Sequence, residues 1–218
     1  MFKHLFFLIT FVSLYTKKEI MKRLRVLVGF IAIFGLAAFT NKPADEKFTV
    51  DTDKSSVSWI GRKVTGQHHG AIKLASGSLT ASGNNLKTGN FTLDMNSITN
   101  ADLEGEYAQK LLGHLKSDDF FSVAKNPVST FIITKVAPAG TNQVNITGNL
   151  TIKGITNPIS FLATVKRQGN VLTATAPSIK VDRTKYDIRY GSKSFFASIG
   201  DKAIDDEFEL AVNLLAKK

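Results

Sequence analysis

The chain has 218 residues and no cysteine, which excludes disulfides, thiolate catalysis and cysteine-ligated zinc. Its formal charge of +10 splits in two: residues 1–40 hold six Lys/Arg and one acid, leaving 22 basic and 17 acidic residues beyond them, a surplus of five in each part. So small a surplus, with no basic run, argues against nucleic acid as a partner, while the length suffices for one sizeable core.

Met21-Lys-Arg-Leu-Arg25 leads into an apolar run over 26–39 that ends among small residues. That order is a secretory signal peptide, and the run is shorter than the ~20 residues that span a bilayer comfortably. Another apolar run, 5–15, precedes Lys17-Lys18; the reading takes Met21 as the true start and 1–20 as an upstream extension, the alternative being a retained anchor. Residues 41–47 form a polar linker, and 48–218 the mature domain.

Within that domain, which begins with Phe48-Thr-Val-Asp-Thr52, alternation predicts strands over 56–60, 71–80 and 90–98, with 61–70 irregular. Residues 102–117 change period. Leu103, Tyr107, Leu111 and Leu115 recur every fourth position, the stripe of an amphipathic helix that packs on the remainder. Ser117 or Asp118 caps a further short turn, which aims Phe120 and Phe121 at the body. Strands resume over 128–136, 143–153, 159–167, 171–181 and 207–216, with 182–206 irregular. The clearest pattern is 143–165: Val144, Ile146, Gly148, Leu150 and Ile152 share one face, and Ile159, Phe161, Ala163 and Val165 continue it after a Gly/Pro-containing break. Pro158, lacking an N–H, is expected at the start of the second strand. The class is all-β: an eight-stranded antiparallel barrel, lipocalin-like, with one amphipathic helix inserted after the third strand. An interior of that strand number is filled by side chains or holds one small ligand.

Little in the chain suggests catalysis. His68 and His69 are adjacent, so on a strand they face opposite ways and cannot chelate one ion together. There is no HExxH and no GxSxG elbow. The acids Asp201, Asp205, Asp206 and Glu207 lack calcium-loop spacing. The sequons at Asn90, Asn145 and Asn149 need only reflect Asn and Thr alternating on wet strand faces. No catalytic or metal-binding residue is assigned, and the chain reads as a non-enzyme. Of its 16 Phe, those of the mature domain recur on apolar strand faces (Phe91, Phe161, Phe208) and beside the helix (Phe120, Phe121), as a packed core or the wall of an apolar pocket.

The order of motifs resembles the YceI-like family of exported, lipocalin-like lipid-binding proteins. The matching segments are Val57-Ser-Trp-Ile-Gly-Arg62, His68-His-Gly70, Gly77-Ser-Leu79, Phe91-Thr-Leu-Asp-Met95 and His114-Leu-Lys-Ser-Asp-Asp-Phe-Phe121. Gly148-Asn-Leu-Thr-Ile-Lys-Gly154, Asp182-Arg-Thr-Lys-Tyr-Asp-Ile-Arg-Tyr-Gly191 and Ile204-Asp-Asp-Glu-Phe-Glu-Leu210 complete the set across 48–216. Where many members have Phe-Gly shortly after the Arg, this chain has Tyr186-Asp187, followed by a loop placed to reshape a pocket mouth. The resemblance implies a barrel holding an isoprenoid or other long-chain lipid for transport, storage or sequestration, in the periplasm or secreted. It implies no cofactor beyond that lipid, no nucleic acid and no stable membrane insertion once the signal is removed; a homodimer is compatible with it. For such a ligand Phe91, Leu93, Met95, Phe131, Ile146, Leu150, Phe161 and Phe208 supply an apolar wall, and Arg62, His68, His69 and Arg183 are candidate donors at a mouth. Two other readings stay open. One is a structural or stress-related barrel with a filled core; the other is an enzyme acting on a lipid-like substrate, which needs a polar cluster inside the barrel.

Overall fold

The computed structural model describes residues 43–218 apart from 197 and 199, so the expected signal segment and upstream extension lie outside the described residues. Nine strands and one α-helix follow in order: β1 (Asp45–Val50), β2 (Ser56–Lys63), β3 (Gly66–Ser82), β4 (Asn85–Asp94), α1 (Gly105–Lys116), β5 (Val128–Gly140), β6 (Gln143–Ile152), β7 (Ile155–Gln168), β8 (Val171–Asp182) and β9 (Ile204–Lys217). Each strand pairs antiparallel with the next from β2 to β9, and β9 pairs back with β2, closing the barrel. β1 lies beside β3 and the end of β9, beyond the reach of β2, so β1 and β2 share one of eight positions in the barrel wall. Counted by positions, α1 follows the third strand, as the alternation predicts.

Several boundaries differ from the sequence reading, each for a physical reason. β1 begins at Asp45, inside the stretch expected as linker, because Asp45–Lys47 find partners in Ser82–Thr80. Residues 61–70 are the paired tip of the β2–β3 hairpin rather than an irregular loop. β4 stops at Asp94, whose side chain accepts from the Asn96 N–H and starts a 3-10 turn, so Met95 sits on that turn and not on a strand. Pro158 lies inside β7, opposite Asn149. The β6–β7 turn is instead Lys153-Gly154, both at positive φ (52° and 74°), the two-residue geometry that matches strand twist.

One end of the barrel is packed solid. Phe48, Leu79, Ala81, Leu172 and Ala216 are at most 1% exposed there, and Arg167 lies 5.0 Å from the Phe48 ring. The other end is covered by α1 and its neighbours. Leu115 is buried with Ile98, Phe120 and Ile188, and Leu111 and Leu112 pack against the same core. The expected stripe is only half realised: Tyr107 is 74% exposed, since the helix docks through its last turns alone. Ser117 ends α1 rather than starting a second helix, its N–H bonding the His114 carbonyl at 3.1 Å. Leu115→Asp should therefore destabilise the domain by roughly 3 kcal/mol or more, and Tyr107→Asp by less than about 0.5 kcal/mol. Equal melting temperatures for the two variants would refute this docking.

Candidate ligand-binding site

The interior is built by alternation. Phe91 on β4, Phe131 on β5 and Phe161 on β7 face inward, with ring centroids 6.4 Å apart for Phe91–Phe131 and 5.6 Å for Phe131–Phe161. Phe131 reaches Phe161 across β6 because Gly148 lies between them. A Cβ at Gly148 would stand 2.4 Å from the Phe131 ring and 2.6 Å from the Ile132 carbonyl oxygen, so only glycine leaves room.

These rings wall a cavity of about 90 Å³ with Ile133, Ile146 and Leu210 among its lining. A second cavity of about 90 Å³ runs toward α1, lined by Trp59, Met95, Ile98, Leu115, Phe120 and Phe208 among others. Leu93, Leu150 and Leu210 line both, so the two cavities adjoin at these side chains and together make up the hollow interior. Leu93, Phe131, Ile159, Phe161, Phe208, Leu210 and Val212 line this hollow yet remain only partly buried. A third hollow, about 300 Å³ and of mixed polarity, lies among the β3–β4 and β5–β6 turns.

All eight apolar residues singled out from the sequence line one cavity or the other: Phe91, Leu93, Phe131, Ile146, Leu150 and Phe161 the first, Leu93, Met95, Leu150 and Phe208 the second. The four polar ones divide. Arg62 pairs with Glu209 at 2.8 Å, and His68 and His69 both bond Asp102; none of the three lines the hollow. Arg183 does line the second cavity. It is 3% exposed, and four of its N–H groups donate to the carbonyls of Asp205, Ile188, Tyr190 and Ile204 at 2.8–3.0 Å. Burial lowers its pKa, opposed by Asp206, Asp182 and Asp205. With four of five donors taken, Arg183 pins the 188–205 loop over the barrel end instead of offering itself to a ligand. Ile159, Leu210 and Val212 share the alternation of Phe161 or Phe208, already named for the wall, whereas no residue of β2 was named to place Val57 and Trp59. Phe120, Phe121 and Ile188 come from turns, where no periodicity marks an inward side.

Two carboxylates outside the hollow are strongly perturbed. Glu46 takes a bidentate pair from Arg167 (2.8 and 3.0 Å) and a bond from Lys218 (2.7 Å), which hold it down to about 2 from an ordinary 4.5. Burial alone would raise Asp102, but the His69 N–H, the His68 ring and the Asn100 amide bring it to about 2 from 3.8. Both folded values lie below the unfolded ones, so this stability is present above about pH 4.5 and is lost as pH falls toward 2. Glu46→Gln should flatten the acid limb of a melting-temperature profile between those limits. A limb as steep as wild type would remove Glu46 from the account.

A closed antiparallel barrel around an apolar hollow belongs to the architectures that enclose one small ligand. The chain is a member of the YceI-like domain family, which matches residues 48–216. It is 47% identical over 57 residues to a UPF0312 protein of Pseudomonas paraeruginosa, covering 26% of this chain and 29% of that one. It is 32% identical over 117 residues to protein YceI of Salmonella newport, 53% of each chain. The aligned stretches thus span about half or less of these relatives. Among solved structures it superposes on Burkholderia cenocepacia BcnA with a TM-score of 0.62 at 24% identity, over 76% of this chain and 98% of that one. A polyisoprenoid binding domain from Saccharophagus degradans gives a TM-score of 0.56 at 14% identity, over 78% and 97%.

Proposed function

We propose that this protein holds a long-chain isoprenoid-type lipid in the barrel hollow, as a carrier or store and without covalent chemistry. One observation carries the reading: a closed barrel whose inward Phe, Leu and Val side chains keep accessible surface, where a filled core would be packed to near-crystalline density. Membership of the YceI-like family and the likeness to a polyisoprenoid binding domain support it. The polar end refines the choice of ligand. Arg183, the cation lining the second cavity, already donates to four carbonyls and stands 3.7 Å from Asp206, while Asp205 and Glu207 are exposed outside. With that cation committed and the rest of the lining predominantly apolar, the reading favours a neutral quinone or alcohol over a polyprenyl phosphate.

Delipidated protein titrated with ubiquinone-8 tests this, because Trp59 is the sole tryptophan in the sequence and lines the second cavity, where a quinone quenches it. Stoichiometric quenching, weaker for undecaprenyl phosphate, is expected; no binding by delipidated protein, and no lipid extracted from freshly purified protein, would leave the filled barrel. We further propose export, on the basic, apolar and small-residue order of 21–40. The mature chain from the native host should then begin near Asn41 by intact mass. A chain retaining 26–39 would instead carry an anchor.

A further inference from the structure

Both ends of the barrel are covered: one by the Phe48 layer, the other by α1, Ile98, Phe120 and Ile188. The wall itself is incomplete. β7 pairs with β6 from Ile155 to Thr164, and β8 pairs with β9 as far as Asp182. Between β7 and β8, however, the ladder runs only from Gln168–Val171 to Thr164–Thr175 and then stops. Residues 155–163 of β7 and 176–182 of β8 face each other unpaired.

Two prolines explain the stop. Gly169-Asn170 joins β7 to β8 in a two-residue turn, whose closing pair Gln168–Val171 exchanges hydrogen bonds. Bonded pairs recur at every second step, at Lys166–Thr173 and Thr164–Thr175, and the next would be Leu162–Pro177. Pro177 has no N–H to give. From the opposite turn at Lys153-Gly154, the same alternation makes Asn149–Pro158 a non-bonded pair, so the Pro158 nitrogen also points at the gap. A bulge between Ala176 and Ile179 carries β8 further away. The gap ends where the Asn157 amide donates to the Lys185 carbonyl at 2.9 Å. Directly behind it, Ile159, Phe161, Ala176 and Ile179 line the first cavity.

Resting on the lipid-binding reading above, we infer that the lipid chain enters and leaves sideways through this β7–β8 seam, held unzipped by Pro158 and Pro177. A flexible hydrocarbon needs a slot rather than a round mouth, and this slot opens onto the apolar wall without displacing either packed end.

The chain has no native cysteine, so a disulfide from Leu162→Cys with Pro177→Cys tests the seam cleanly. Oxidised protein should load and release ubiquinone-8, followed by Trp59 quenching, at least tenfold more slowly than the same protein reduced, with reductant restoring both rates. In parallel, Pro158→Val with Pro177→Val restores the missing donors and should slow both rates severalfold while the far-ultraviolet spectrum stays that of a barrel. Wild-type rates in the oxidised pair, or in the folded valine pair should the disulfide not form, would overturn the seam. Absence of any quenching in wild type would overturn the lipid reading itself, and with it the seam.

Discussion

Leu150→Trp should abolish stoichiometric uptake of ubiquinone-8 while leaving the barrel folded. Leu150 faces inward on β6 and lines both cavities, so an indole there stands at the neck between them. Small-to-large substitutions in packed cores cost about 1–3 kcal/mol through strain. Here the added ring projects into empty space of about 90 Å³ on either side, so the stability cost should fall at the low end of that range. The ligand loses far more. Burial of a few hundred Å² of hydrocarbon is worth several kcal/mol at ~25 cal/mol per Å², and a blocked neck denies the chain one half of the hollow. A loss of at least 100-fold in affinity is expected, about 2.8 kcal/mol at 1.4 kcal/mol per tenfold. Ile146→Trp, within the first cavity alone, should weaken binding less. Wild-type affinity in a folded Leu150→Trp protein would place the ligand elsewhere.

Gly70→Ala should be among the most damaging single substitutions for stability. Gly70 faces inward on β3 opposite Trp59, where a Cβ would lie 1.8 Å from the Thr99 carbonyl oxygen and 2.9 Å from Trp59 Nε1. Neither neighbour can yield cheaply. Thr99 is held by its own N–H to the Ala71 carbonyl at 2.9 Å, and its carbonyl accepts the Trp59 indole N–H at 3.0 Å. A methyl group would push this segment off the barrel end, break that indole bond and shift Ile98, which lines the second cavity. The cost should be about 3 kcal/mol or more, the upper part of the range for overpacking, with a red shift of Trp59 emission as its local signature. An unchanged denaturation midpoint would show that the close approach at Thr99 contributes nothing to the fold.

What the sequence alone determined is which side chains share a strand face. Along β6 the alternation of Val144, Ile146, Gly148, Leu150 and Ile152 assigns a face to each side chain, because a strand repeats every two residues whatever it pairs with. The same locality made α1 legible from its four-residue stripe. Tertiary structure decided everything that depends on which neighbour an edge or a face meets. Pro158 is tolerated inside β7 because its nitrogen turns to an unpaired edge, and nothing within β7 says which edge that is. Tyr107 shares a stripe with Leu115 yet stays in solvent, since contact depends on how far the barrel end extends beneath the helix. His68 and Arg183 carry donors suited to a ligand, but Asp102 and four loop carbonyls, distant in sequence for the histidine and set by loop path for the arginine, take them first. The hollow itself is the clearest case. Its volume is what remains after side chains from eight wall positions meet across the axis, a sum over the closed barrel that no single strand contains.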